Sequence, residues 1–113
     1  MGVFETSETS SNRWHQPVRV PTSKGNIFGA AKEMCEDLDT WKVLEVDEGA
    51  LTIHCERKNG LLAGTSRIQV RVEGPDGIPS STTHVRSETS GAILSPDKKV
   101  VAEFIKKFTM RVC

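Results

Sequence analysis

Between Ser95 and Val112 the chain carries the pattern that most restricts its fold, an amphipathic stretch that needs an apolar surface to lie on. Val100, Phe104 and Phe108 recur every fourth residue, flanked by Val101, Ile105 and Val112, which is the spacing of one helical face. Ser95 is placed to cap this helix, Pro96 fits its first position, and Asp97 stands where the helix dipole favours an anion. Lys98, Lys99, Glu103, Lys106, Lys107 and Arg111 form the opposite, solvated flank. Each large side chain buried from the apolar stripe contributes roughly 1.5–3 kcal/mol. A typical domain has a net stability of only about 5–15 kcal/mol, so the rest of the chain must supply a face for this helix.

That face is legible as strands. Trp41 to Val46 is β-rich and ends at the turn signal Asp47-Glu48-Gly49. Leu51, Ile53 and Cys55 then alternate with Thr52, His54 and Glu56, the pattern of a half-buried strand. After Asn59-Gly60 and the apolar link Leu61-Leu62-Ala63-Gly64, Ile68, Val70 and Val72 point one way and Arg67, Gln69, Arg71 and Glu73 the other. Gly74-Pro75-Asp76-Gly77 makes a turn, and His84, Arg86 and Glu88 alternate with Thr83, Val85 and Ser87. Upstream, Val18 to Val20 lies between two prolines and can form only a short edge strand. Ile27, Ala30, Ala31, Met34 and Leu38 have helical spacing, with Thr22, Ser23 or Asn26 as alternative caps. Gly29 weakens that helix, and its acidic end (Glu33, Glu36, Asp37, Asp39) opposes the dipole.

The expected order is strand, helix, four strands, helix: an α+β domain with an antiparallel curved sheet and both helices on one face. At 113 residues there is room for one core, assigned to residues 15–113. Residues 1–14, rich in Ser, Thr, Glu and Asn, read as a mobile tail, with Trp14 the first to touch the body.

The order resembles the helix-grip and TATA-binding-protein-like architectures. Within them, residues 25–112 are similar to a family of small uncharacterised bacterial and plastid domains. The shared features are Ala30-Ala31 leading to Trp41-Lys42-Val43, a late strand with Val85-Arg86-Ser87, and Asp97 opening the last helix. The chain departs from the family where Gly64-Thr65-Ser66 replaces paired acids, where Thr89-Ser90 replaces a second Ser-Arg, and where Lys98 or Lys99 replaces an Asn. The resemblance implies a fold and no activity.

Fifteen acidic and fifteen basic side chains leave no net charge, which argues against a general polyanion or nucleic-acid binder. Three cysteines, Cys35, Cys55 and Cys113, without CxxC spacing suit a reducing cytoplasm, and Cys35 and Cys55 read as small core residues. Met1-Gly2-Val3-Phe4-Glu5-Thr6 fits the loose N-myristoylation template. The membrane is expected as a partner only if Gly2 is lipidated, with the lysine flank of the last helix beside it.

His15, His54 and His84 lack metal-ligand spacing, and no GxSxG, GxGxxG or P-loop string occurs. An enzyme is not expected, nor a metal or other cofactor. Two binding readings follow. In the first, an apolar small molecule or lipid lies between the last helix and the sheet, lined by Val70, Val85, Phe104 and Phe108. In the second, Arg67, Arg71 and Arg86 on the wet face anchor an acidic protein partner or a second copy of the chain. The ordinary alternative for those arginines is cross-strand ion pairing with Glu56, Glu73 and Glu88.

Overall fold

A computed structural model describes residues 2–60, 63–90 and 96–113. The strands are β1 (Gly2–Glu5), β2 (Val18–Val20), β3 (Trp41–Asp47), β4 (Thr52–Lys58), β5 (Thr65–Glu73) and β6 (Ser81–Ser90). The helices are α1 (Lys24–Asp37) and α2 (Asp97–Val112), with a 3-10 turn at Arg13–His15. β3 to β6 form the expected antiparallel meander, and the sheet order is β1-β6-β5-β4-β3. β2 also pairs with β6, so β1 and β2 share its outer edge, opposite Arg86–Thr89 and Ser81–Thr83 respectively.

One side of the sheet is covered. Ile53 and Cys55, Ile68, Val70 and Val72, and Val85 meet Ile27, Phe28, Ala31, Met34 and Cys35 of α1 and the stripe of α2 in a single core. Phe104 and Phe108 are fully buried and stack at 5.5 Å, and Trp41 stacks on Phe104 at 5.4 Å. The closing helix therefore grips the sheet as its stripe requires.

Three expectations need correction. In place of a mobile tail over residues 1–14, Gly2–Glu5 is a strand. Thr6 continues the pairing: its N–H donates to Val85 O at 2.9 Å, and its Oγ1 accepts from Val85 N at 3.1 Å. β6 offers an edge of unpaired backbone groups that β1 satisfies, and four residues are too few for an apolar period to reveal them. Leu51 is not in a strand but in the turn before β4, with φ of 50°. Nor is the acidic end of α1 left simply opposing its dipole, because Arg111 Nη2 of α2 donates to Asp37 Oδ2 at 2.8 Å. A cation thus reaches that helix terminus from another helix. Ser95 as helix cap and Leu61-Leu62 as link lie outside the described residues, and the residue preceding α2 is Pro96.

Candidate functional site

The outer face of the sheet is built by strict alternation. Strand register sets side chains in rows across it: His54, Gln69, Arg86 and Glu5 in one, Glu56, Arg67 and Glu88 in the next, Arg71 and His84 on the other side. β5 lies between β4 and β6, so His54 and His84 occupy different rows two strands apart. They are about 10 Å or more from each other at the ordinary strand spacing. No group of three metal-ligating side chains occurs among the described residues.

Two depressions share the centre of this face. One, of about 110 Å³, is lined by Leu44, His54, Arg67, Gln69 and Arg86, with Cys55 and Ile68 at its floor. The other, of about 130 Å³, is lined by Glu5, Gln69, Arg71, His84, Val85 and Arg86. The three arginines named from the sequence therefore gather around adjoining hollows. Leu44 reaches the first because β3 bulges between Val43 and Glu45, and a bulge re-aims a side chain onto the face its neighbours do not share.

The ion pairs differ from the cross-strand set expected for a merely solvated face. Arg86 Nη1 donates to Glu88 Oε2 of its own strand at 3.2 Å. Arg71 Nε lies 3.2 Å from Glu73 Oε1, also in its own strand, without hydrogen-bond alignment. Glu73 also stands 3.4 Å from His84 Nε2. Arg67 is exposed, and neither Glu56 nor Glu88, its register neighbours, closes an ion pair with it among the described residues. Arg71 and Arg86 each keep 41% of the side chain exposed, enough for their guanidinium groups to meet a ligand.

The inner face brings together Val70, Val85, Phe104 and Phe108, all without exposed surface. They are packed into the core with Val100 and Val101, and neither hollow on the outer face reaches Phe104 or Phe108. At the end of β6, where the inward residues are Ser87 and Thr89, the core holds a polar chain. Asp97, the one buried acid among the described residues, accepts at Oδ1 from Ser87 Oγ at 2.7 Å and from Thr89 Oγ1 at 2.5 Å. Thr89 has a single hydroxyl hydrogen, so its 2.8 Å contact with Ser66 Oγ must run from Ser66. Asn59 Nδ2 in turn donates to Ser66 Oγ at 2.8 Å. The hydrogen bonds thus run from Asn59 through Ser66 and Thr89 to the carboxylate at the start of α2, while Asn59 Nδ2 also donates to Ala63 O at 3.0 Å.

The sequence reading missed that chain. Its signal was the run of small hydroxyl residues at inward positions of β6, which a purely apolar core would not use. Cys35 of α1 and Cys55 of β4 also meet in the core. The neighbouring Cys55 thiol and burial together hold the Cys35 thiol above the ordinary thiol range.

No helix is long and apolar enough to cross a membrane among the described residues. No protein-family model matches the chain, and no curated protein matches it. Among solved structures it is similar to the crystal structure of Ara h 8.0201, with a TM-score of 0.51 and 12% identity, over 97% of this chain and 98% of that one. At that identity the likeness shows the fold alone. The fold is a helix-grip α+β fold, with α2 laid across a curved antiparallel sheet.

Proposed function

We propose that this chain is a non-enzymatic binding module that receives an acidic segment of a protein partner on the outer face of its sheet. The observation that carries the reading is the convergence of Arg67, Arg71 and Arg86 on two adjoining hollows, with Arg67 left without an acid partner among the described residues. Acidic groups of an extended segment could enter both hollows, a side-chain carboxylate taking two parallel N–H bonds from the guanidinium of Arg71 in one of them. The hollows are far smaller than the roughly 300–1,000 Å³ of a pocket for a whole small molecule, which suits single charged groups carried on a larger body. Three free cysteines suit a cytoplasmic setting, and kinship with the small uncharacterised bacterial and plastid domains over residues 25–112 belongs to the same reading.

The test is fluorescence anisotropy of a labelled Asp/Glu-rich peptide. Arg71→Glu with Arg86→Glu should abolish binding while the melting temperature changes little, because both side chains are partly exposed. Binding that survives the double reversal would reduce the face to solvated surface.

A second reading places an apolar ligand between α2 and the sheet against Val70, Val85, Phe104 and Phe108. It is favoured by Ser81 Oγ and Thr83 Oγ1, which are buried on the inner face without a hydrogen-bond partner among the described residues and would suit the polar end of such a ligand. A fatty-acid and small-apolar panel that raises the melting temperature would support it. A panel with no effect, in a protein whose outer face binds peptide, would remove it.

A further inference from the structure

The hollow beside the bulge of β3 differs from its neighbour in one chemical respect. Every polar side chain that lines it, His54, Arg67, Gln69 and Arg86, can donate, and no carboxylate lines it. The neighbouring hollow contains Glu5. At about 110 Å³ it has room for roughly four waters at about 30 Å³ each, the scale of one compact oxyanion. Leu44, 39% exposed on the edge strand, adds an apolar wall at its rim. The leucine brings an apolar contact beside hydrogen-bond donors, and the bulge that puts it there is a feature strands carry next to sites.

We infer that this hollow is a phosphomonoester site, with the phosphate held by Arg67, Gln69, Arg86 and His54 and the group that bears it packed on Leu44. A phosphomonoester brings three acceptor oxygens and a charge near −2. A carboxylate brings two oxygens and one charge, too few to use both guanidinium groups with the amide and the imidazole. Glu88 opposes the ligand twice: it occupies Arg86 Nη1 and sits across from Arg67 in register. Glu56 flanks Arg67 from the other strand. The acids around the rim therefore set the affinity, and removing one should raise it.

This inference rests on the outer-face reading and deepens it by naming the anion. Its test is an amide NMR titration of the full chain with phenyl phosphate, inorganic phosphate, benzoate, a phosphotyrosyl peptide and the same peptide unphosphorylated. Phenyl phosphate should shift the amides of Leu44, His54 and Gln69 saturably and bind about tenfold or more tighter than benzoate, the step that one further charge-assisted contact provides. Arg67→Ala should lose this binding. Glu88→Gln should tighten it, an outcome that misfolding cannot imitate. The phosphotyrosyl peptide separates a protein-borne phosphate from a free one, since a protein source requires it to bind at least as tightly as phenyl phosphate. Equal binding of benzoate, an unaffected Arg67→Ala variant, or no saturable shift would overturn the inference. If acidic peptides still bind through Arg71 while phenyl phosphate does not, the phosphate site falls and the outer-face reading stands. If neither binds, both fall.

Discussion

Asp97 shows how much one side chain can be asked to do. At the head of a helix its charge interacts favourably with the dipole wherever the helix lies, and that much follows from its position in the chain. Burial adds a demand, because a carboxylate taken from water must be hydrogen-bonded by the protein. Ser87 and Thr89 supply donors directly, and Ser66 and Asn59 support them. Asp97→Ala should cost about 3 kcal/mol or more in urea unfolding, since hydrogen bonds to charged groups are worth about 1.5–3 kcal/mol each. Asp97→Asn keeps an oxygen acceptor and should cost less; equal losses would show that the negative charge, and not merely an acceptor oxygen, is what the site requires. The cysteines permit a simpler check. In the native protein one thiol per chain, the exposed Cys113, should react with a thiol reagent, while Cys35 and Cys55 react only after unfolding. Rapid native labelling of all three would contradict the packing of α1 on β4.

Among the elements, α1 is the one that packing rather than propensity holds in place. Its Ser23 cap makes no side-chain hydrogen bond, its acidic end is met by Arg111 from α2, and Gly29 sits in its middle. A methyl group built at Gly29 would meet nothing within 4 Å, so no close approach requires the glycine. Gly29→Ala should stabilise the protein by about 0.5–1 kcal/mol, a rise of about 2–5 °C in melting temperature for a domain of this size. A fall would mean that this helix face has a partner. α2 is the opposite case. Its stripe, its acid first turn and its basic flank agree with one another, and the register of Phe104 and Phe108 on the inner face follows from the spacing alone. β5 and β6 are as readable, because alternation in strands with one wet face leaves a single choice of side.

For the molecule as a whole, the N-terminal residues close the sheet rather than trail from it. Removing residues 1–10 would strip β1 and the Thr6–Val85 pairing from β6, opening a backbone edge that is a template for association. Such a truncation should lower the melting temperature by about 5 °C or more, given that roughly 1 kcal/mol shifts a domain of this size by about 4 °C. It should also promote oligomers on size exclusion. An unchanged monomer with an unchanged melting temperature would restore the mobile tail.

By itself the sequence determined the α+β class, the meander of β3 to β6, the side on which the helices lie and the membership of the core under α2, because hydrophobic periodicity ties each of these to the nearest few residues. It also identified Arg67, Arg71 and Arg86 as neighbours on one face. Only the tertiary structure decided what lies between elements distant in the chain: β1 against β6, Arg111 at the end of α1, and Asp97 among hydroxyls of β5 and β6. It also decided that Arg67 stands beside a bulged leucine with no acid partner among the described residues. These contacts depend on polar groups meeting at specific distances, and no local period in the chain encodes where a partner across the fold will stand.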